Sequence, residues 1–446
     1  MNDITAGNIT SRSPASHPLP KVERTIHGCL SSRSPMLSDE VRVAHWFAEY
    51  YKREPLDPPP LMGRREWAFV PFASSFQGYI RHRQYDRIEH LRKYLIRNPP
   101  KSIFHSMAYY RRPSERRMDM KEVKGADLVF DLDGDHLSGI TDENFEMMIR
   151  LIQAETWRLW DTFLKRELGV NERHLEVTFS GHRGFHLHIR DPSLQHLDAR
   201  ARREIVEYIR GKDLDSYRAL RRALEQTSDA RGWPKRLLDN LPRVISQLSE
   251  SLSDDRTTKT RAKKELERYR SMLPDGKRPS KPAIERLAQR FETPSIKRQV
   301  IDERNIEVLG GGEKGAVHRD TFVALLHGAS MGGDEGSAEI DDVVTIDMHR
   351  IIRWKTSLHG KTGMRVTTIP VERLDPEGPE AFDPLSETIA LPSTGQHELV
   401  GVVNGMQTRI HERHISIEEN KTFTATTAEA AFLILKGWAK FTTTST

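Results

Sequence analysis

Two aspartates at alternate positions follow an apolar run, and they are the first residues of this sequence that could do chemistry. Asp131 and Asp133 end the segment ADLVFDLDGD, in which the continuous apolar residues predict a β-strand. Residues i and i+2 of a strand point to the same face, so both carboxylates project together. Like charges this close repel each other, and a hard divalent cation with oxygen ligands would relieve that repulsion. An acidic pair that simply ends a strand and faces water is the alternative.

A glycine-rich segment, residues 180–188, could bind phosphate. It joins two predicted strands of a hairpin within residues 174–190. Its glycines would let backbone N–H groups approach an anion, while Ser180 could donate a hydroxyl hydrogen bond and Arg183 a fork of donors. His186 alternates with a second histidine, so the two share a strand face and could instead bind a transition metal. A plain hairpin is the third interpretation.

A third group of polar residues surrounds Asp347, which follows the apolar residues 343–346 and is therefore predicted to end a strand. Asp347 could supply a third carboxylate to a metal pair. Arg350 and Arg353 are three residues apart, a spacing that would put both on one face of a helix and would suit a triphosphate. A surface turn that leads into a helix is the alternative. The polar loop that follows adds two further basic candidates, His359 and Lys361.

Three carboxylates from separate segments, together with basic and glycine-rich phosphate groups, form the layout of two-metal nucleotidyl transfer. In that chemistry one ion activates an attacking 3′-hydroxyl, and the other holds the triphosphate and stabilises the leaving pyrophosphate. No protein nucleophile is needed, which is consistent with a chain whose one cysteine is Cys29, in a segment expected to be disordered. A metal nuclease also uses clustered acids, and the basic residues favour a polymerase over a nuclease.

The elements that must position these residues fall into three regions. A chain of 446 residues predicts two or three domains at a rough 150 residues per domain. Residues 1–36 are rich in serine and proline, and we expect a disordered N-terminal arm. Helix formers dominate residues 192–300, which predicts a helical insertion subdomain. Residues 37–191 and 301–446 would then form the catalytic core.

Charge and cysteine content limit the partners and the compartment. The net charge of +5 permits a nucleic-acid partner without demanding one. One cysteine excludes an internal disulfide and a cysteine-based zinc site. No apolar run reaches the ~18 residues of a membrane span, and the N-terminus lacks the apolar core of a secretory signal. We therefore expect a cytoplasmic, nucleoid-associated protein with no membrane partner.

The three polar groups together resemble the catalytic small subunit of the archaeal/eukaryotic-type DNA primase. The resemblance covers roughly residues 38–440 and includes the early segment RREWAF, residues 64–69. It implies a nucleotidyltransferase that starts short RNA primers de novo on single-stranded DNA for replication, and it leaves open whether DNA primers are also made. The fold implied is α/β (α+β), with a primase-type catalytic core around a mixed β-sheet and an inserted helical subdomain.

Site residues, cofactors and partners follow from the same resemblance. The implied catalytic residues and metal ligands are Asp131, Asp133 and Asp347. The implied nucleotide-binding residues are Ser180, Gly181, His182, Arg183, His186, Arg353, His359 and Lys361. The cofactor implied is Mg²⁺ or Mn²⁺ in a two-metal site. The partners implied are a primase large subunit in a heterodimer, a single-stranded DNA template, and NTPs or dNTPs.

This sequence departs from the family at His182, where the motif often carries another basic residue, and in its zinc site. Many members carry a small zinc-binding knuckle after the first acidic motif, but residues 134–175 contain no cysteine here, and we expect no structural zinc. A primase-polymerase of the repair-ligase type and a catalytically silent nucleic-acid-binding subunit are the alternative functions. The segment Ser357-Leu358-His359 and the chain length favour the replicative primase.

Overall fold

The computed structural model describes residues 38–72, 78–134, 145–212, 214–225, 230–310, 315–331 and 342–442. The chain divides into two units, Met1–Ser38 and Asp39–Thr446, and the second unit contains every element described below. The arm expected at residues 1–36 lies outside the described residues. No helix within the described ranges is long and apolar enough to cross a membrane.

The second unit contains both α-helices and short strands. The α-helices are α1 Asp39–Arg53, α2 Ile88–Arg97, α3 Phe145–Arg158, α4 Ala199–Ile209, α5 Ser216–Glu225, α6 Gly232–Glu250, α7 Arg256–Ser271, α8 Lys281–Arg290, α9 Pro294–Ile301, α10 Gly315–Met331, α11 Asp342–Ile346, α12 Pro384–Glu387 and α13 Thr427–Leu435. The strands are β1 Trp67–Pro71, β2 Ile80–Arg83, β3 Pro100–Ser106, β4 Ala108–Tyr110, β5 Val123–Ala126, β6 Leu128–Asp133, β7 Leu175–Phe179, β8 Gly184–Ile189, β9 Ile351–Arg353, β10 Thr367–Ile369, β11 His397–Gly401, β12 Met406–Ile410, β13 Arg413–Ile417, β14 Thr422–Ala425 and β15 Ala439–Phe441. A π-helical segment, Leu159–Lys165, continues α3.

Two four-stranded sheets carry the polar groups singled out above. The first sheet has the strand order β2-β1-β3-β9, and the second has the order β10-β7-β8-β6. The pairings within both sheets are antiparallel. The predicted α+β class is confirmed, although the described strands form several small antiparallel sheets rather than one mixed sheet.

The second sheet forms because two neighbouring strands, β8 and β6, are almost entirely buried. Every residue of β8 is buried, as are the apolar residues of β6. Helix α3 covers one face of these strands with its apolar stripe, which includes Phe145, Met148 and Ile152. The predicted strand at residues 126–135 and the predicted hairpin at residues 174–190 are therefore both present.

Helices occupy the part of the chain that follows the second sheet. Residues 199–301 form α4 to α9, and α10 packs against α6, α7 and α8. One apolar cluster runs through these helices from Leu220 to Ala329. The helical packing thus continues beyond residue 300, where the sequence suggested that it ends, and the division into core and insertion remains a prediction.

Two local expectations around the third polar group were wrong. Asp347 follows helix α11 rather than a strand, because an apolar run this short cannot be assigned to strand or helix from periodicity alone. Arg350 and Arg353 do not share a helix face. Arg350 lies just before β9 and Arg353 ends that strand, where Ile351 and Ile352 supply the β-branched residues that favour pairing with β3.

A buried ion pair joins the two four-stranded sheets. Arg65 Nη2 donates to Asp127 Oδ2 over 2.8 Å, and neither side chain is exposed to solvent. Arg65 Nη1 also donates to the carbonyl of Ser106 at the end of β3, over 2.6 Å. Asp127 immediately precedes β6 and accepts further hydrogen bonds from Tyr109 and from Arg190, which follows β8. These contacts connect the first sheet to the N-terminal end of β6 in the second sheet.

The ionised form of Asp127 is stabilised by this network. Burial alone would raise the pKa of a carboxyl, but Arg65 and Arg190 outweigh it and hold the pKa of Asp127 below its ordinary value. A carboxyl with a lowered pKa stabilises the folded state above the pKa that it has in the unfolded chain. That stabilisation is lost as the pH falls through the lowered pKa.

Replacement of Asp127 by asparagine should destabilise the whole second unit. D127N leaves the Arg65 guanidinium buried without its carboxylate, a change that typically costs about 3–5 kcal/mol of unfolding free energy. Urea denaturation followed by circular dichroism measures the change. The matched control is D119N, which breaks an exposed ion pair between Asp119 and Arg117 and should have little effect.

The same pair of proteins tests the pH dependence. The unfolding free energy of the wild type should fall below about pH 4, the ordinary range of an aspartate carboxyl, and the fall should be shallower in D127N. Equal stability of D127N and D119N would contradict the role given to the Arg65–Asp127 pair.

Candidate active site

The carboxylates of Asp131 and Asp133 lie on one face of β6. Leu132, between them, is buried on the opposite face, whereas the two aspartate side chains keep 19% and 40% of their surface exposed. Asp131 is paired in register with His186 of β8, and His186 Nε2 lies 3.5 Å from Asp131 Oδ1. Arg183 Nε lies 3.3 Å from Asp133 Oδ1. The acidic strand and the glycine-rich hairpin therefore form one site.

The turn between β7 and β8 is closed by its own residues. The Ser180 N–H donates to the carbonyl of Gly184 over 2.8 Å, and the Gly184 N–H donates to Ser180 Oγ over 3.1 Å. Gly181 has a φ of +82°, and a Cβ atom there would lie 2.8 Å from Cβ of His359. Only glycine tolerates both the dihedral angle and the close approach. Gly181 thus allows the hairpin to pack against the loop after β9.

Three basic side chains from distant segments meet beside this turn. The rings of His182 and His359 are stacked, with their centroids 5.0 Å apart. Lys436, just after α13, donates from Nζ to His182 Nε2 over 3.3 Å and lies 4.2 Å from the centroid of the Phe145 ring. Because an ammonium group only donates, Nε2 of His182 accepts this hydrogen bond and the ring is neutral.

Arg353 connects the basic side chains to the acidic pair. It projects from β9 of the first sheet, donates to Ser102 Oγ over 3.2 Å and lies over the ring of Phe104. Burial lowers the pKa of Arg353 to about 10, while the nearby charges of Asp131 and Asp133 act in the opposite direction. The guanidinium therefore remains charged at neutral pH and lies within electrostatic reach of both carboxylates.

The buried histidines of the site are uncharged. Burial, followed by the charges of the nearby cations Lys436, Lys361 and Arg353, lowers the pKa of His182 to about 2. Burial, and after it the charge of Arg353, places the pKa of His359 well below its ordinary value. These rings can exchange hydrogen bonds with a phosphate, but the positive charge of the site resides on its lysines and on Arg353.

Asp347 lies at the C-terminal end of α11, the helix that packs against β6. Its Oδ1 accepts a hydrogen bond of 2.9 Å from the backbone N–H of His349, and Arg350 Nε lies 3.7 Å from its Oδ2. Its side chain is 45% exposed. The Tyr110 hydroxyl lies 3.2 Å from Nδ1 of His349, so this turn is anchored on strand β4.

The structure does not assemble a complete metal-ligand set. Among the residues that it describes, no three His, Cys, Asp or Glu side chains are grouped closely enough to hold a metal ion. Asp131 and Asp133 are thus not joined by Asp347 in such a group. The pair itself offers partly exposed carboxylate oxygens on one face, and this donor chemistry fits a hard divalent cation. Residues 135–144, where a zinc knuckle would follow, lie outside the described residues.

Sequence reasoning missed Lys436 as a member of the site. The apolar pattern of residues 427–440 predicts a helix but gives no sign of a part in phosphate binding. Lys436 and His182 are 254 residues apart in the chain and meet only because α13 packs beside α3 and the hairpin. No local spacing marks such a lysine. Tyr79 and Ser102, which surround Arg353, were missed for the same reason.

Comparison with known proteins agrees with the family resemblance found in the sequence. The family model described as DNA primase small subunit matches residues 130–371, a range that includes every site residue predicted from the sequence. The chain is 32% identical over 414 residues to the DNA primase small subunit PriS of Methanothrix thermoacetophila, covering 88% of this chain and 96% of that protein. It is 33% identical over 373 residues to PriS of Methanocella arvoryzae, covering 79% of this chain and 87% of that protein.

These matches define the chain as an enzyme of the nucleotidyltransferase class. It belongs to the DNA primase small subunit family of the archaeal type. The resemblance inferred from the acidic pair, the glycine-rich hairpin and the segment around Asp347 is confirmed. The comparisons give no support to a repair-ligase type of primase-polymerase or to a catalytically silent subunit.

The uncharged state of His182 can be measured directly. In the free protein its imidazole should stay neutral between pH 5 and pH 9, because burial and three neighbouring cations disfavour a further positive charge. Nitrogen-detected NMR of ¹⁵N-labelled histidine rings reports the protonation state, and the H182Q variant identifies the resonance. A titration midpoint near pH 6.5 would contradict the buried environment of this ring.

Proposed function

We propose that the chain is the catalytic subunit of a DNA primase, which synthesises short RNA primers de novo on single-stranded DNA by two-metal nucleotidyl transfer. The observation that carries the proposal is the meeting of opposite charges between the two sheets. Asp131 and Asp133 face the space that Arg353 enters from the first sheet. A carboxylate pair beside a set of phosphate-binding cations is what phosphoryl transfer requires.

The carboxylates would bind the metal. Asp131, Asp133 and Asp347 would hold Mg²⁺ or Mn²⁺, whose chemistry is to activate the attacking 3′-hydroxyl and to stabilise the leaving pyrophosphate. His186, 3.5 Å from Asp131, and Arg183, 3.3 Å from Asp133, would orient the two carboxylates. Helix α11 would bring Asp347 to the same edge of β6.

The basic side chains would bind the triphosphate of the incoming nucleotide. Arg353 and Lys361 supply positive charge, and the neutral rings of His182 and His359 supply hydrogen bonds at the turn. Ser180 and Gly181 would add hydroxyl and backbone donors, because the hairpin turn faces the same space. Lys436 would increase the positive potential behind His182 without a need to contact the nucleotide.

The proposed partners are a single-stranded DNA template, NTPs or dNTPs, and a primase large subunit in a heterodimer. The proposed location is the cytoplasm, in association with the nucleoid.

The two most directly testable points are the template and the metal. Labelled NTPs or dNTPs are supplied with unprimed single-stranded DNA, and products are resolved by length, with Mg²⁺, with Mn²⁺ and with EDTA. Primers that form with either metal and disappear with EDTA support the proposal, whereas EDTA-resistant synthesis contradicts it.

Substitution of a proposed metal ligand should abolish most of the activity. D131N removes one anionic oxygen ligand, and the several kcal/mol of transition-state stabilisation that a bound metal supplies correspond to a loss of about a hundredfold or more in kcat. The matched control is D119N, because Asp119 is exposed and lies outside the site. Primer synthesis by D131N at the rate of D119N would remove Asp131 from the proposed ligand set.

Substitution of Arg353 should weaken nucleotide binding. Loss of a hydrogen bond to a charged group costs about 1.5–3 kcal/mol, so R353Q should raise KM for NTP about tenfold or more, with a smaller change in kcat. R83Q is the matched control, because Arg83 lies on β2 of the same sheet and is exposed. An unchanged KM in R353Q would exclude the triphosphate role of Arg353.

A further inference from the structure

The loop after β9, residues 354–366, contains a strained threonine. Thr356 has a φ of +67°, in the left-handed region that β-branched residues rarely adopt. Such a conformation persists only where the surrounding structure holds it, and strained residues of this kind are concentrated at functional sites. Thr356 shortly precedes His359 and Lys361, which the proposed function assigns to triphosphate binding.

Two consecutive tyrosines at the C-terminal end of α1 hold this loop. The Tyr50 hydroxyl donates to the carbonyl of Thr356 over 2.8 Å, and the Tyr51 hydroxyl accepts from the backbone N–H of Leu358 over 3.1 Å. Both side chains are buried, which raises the pKa of each hydroxyl and keeps it protonated at neutral pH. The strained residue and the second residue after it are therefore both bonded to α1.

Two backbone hydrogen bonds depend directly on the conformation of Thr356. Its N–H donates to the carbonyl of Val366 over 2.8 Å, and the Val366 N–H donates to the carbonyl of Ser357, also over 2.8 Å. The two bonds lie on either side of the Thr356 Cα and share Val366, so a change in the Thr356 dihedral angles would break at least one of them. The tip of the loop, closed by a bond of 2.8 Å from the His359 N–H to the carbonyl of Met364, would then lose its fixed direction.

The same loop determines which nitrogen of His359 carries the proton. The backbone N–H of Lys361 donates to Nδ1 of His359 over 3.0 Å. Because the ring is neutral and Nδ1 accepts, the one ring proton resides on Nε2. Nε2 is therefore a hydrogen-bond donor, which is what a phosphate oxygen requires of its partner.

We propose that Tyr50 and Tyr51 are positioning residues for nucleotide binding. They hold Thr356 in its left-handed conformation and thereby fix His359 and Lys361 for the triphosphate. Neither tyrosine needs to touch the nucleotide. The inference rests on the proposed function, because it takes the loop to be part of the triphosphate site. Loss of either hydroxyl would let the loop relax, and the nucleotide would then have to order it on binding.

The variants Y50F and Y51F each remove one hydroxyl and keep the ring. Each should raise KM for NTP about threefold or more, as expected for one lost hydrogen bond, and should leave kcat nearly unchanged. The matched control is Y94F, because Tyr94 is packed on the same apolar cluster and stacks on Phe69 of β1. It should have the KM of the wild type. An unchanged KM in both Y50F and Y51F would overturn the proposal.

Replacement of Thr356 by asparagine distinguishes positioning from a general loss of packing. Asparagine adopts the left-handed region far more readily than a β-branched residue, so the loop of T356N needs less help from Tyr50. T356N should bind NTP as the wild type does, and Y50F/T356N should recover most of the KM that Y50F loses. A double variant with the KM of Y50F would show that the conformation of Thr356 is not the link, and would overturn the proposal.

Hydrogen exchange of the free protein tests the hold on the loop without nucleotide. Mass spectrometry of a peptide that covers residues 354–366 should show faster exchange in Y50F and Y51F, wild-type exchange in Y94F, and slower exchange in Y50F/T356N than in Y50F. Equal exchange in Y50F, Y51F and Y94F would overturn the inference. Faster exchange in Y50F and Y51F with an unchanged KM would instead contradict the proposed triphosphate role of this loop, so the two failures are distinguishable.

Discussion

The buried pairing of Arg65 with Asp127 is the constraint on which the site depends. Arg65 belongs to the segment that enters the first sheet, and Asp127 immediately precedes β6, the strand that carries the acidic pair. Asp127 also accepts from Arg190 after β8, and its backbone carbonyl accepts from Arg202 of α4. Asp127 thus links the two sheets through its carboxylate and the first helix of the helical region through its backbone carbonyl. Without this ion pair, the position of Arg353 on the first sheet would not be fixed relative to Asp131 and Asp133 on β6.

The near neutrality of the chain conceals a strong local separation of charge. The total of 69 basic and 64 acidic residues leaves only +5, yet carboxylates collect on one face of β6 and cations collect on the loop and strand opposite. Histidines between them are kept neutral by burial, so they do not add to the repulsion among Arg353, Lys361 and Lys436. Each sign of charge is stabilised by the other across the site, and a nucleotide with its metal would replace part of that compensation.

The parts of the site that a sequence pattern could predict are those formed by neighbours in the chain. The alternation of Asp131 and Asp133 predicted a shared strand face, and the spacing of Gly181 and Gly184 predicted the hairpin turn, because both depend on local backbone geometry. The secondary structure around Asp347 was misjudged, since a short apolar run is compatible with a strand and with a helical turn. Lys436 and the Arg65–Asp127 pair enter the site through packing between distant segments, which no spacing encodes.

A crystal structure of the protein with Mn²⁺ and a non-hydrolysable NTP analogue would test the central claim most directly. Anomalous scattering at the manganese edge locates the ions without ambiguity. The account predicts manganese bound by Asp131 and Asp133 with Asp347 drawn to the same ion, and a triphosphate that contacts Arg353 and the turn at Ser180. Manganese elsewhere on the chain, or a triphosphate that avoids Arg353 while Asp131 and Asp133 remain without metal, would contradict it.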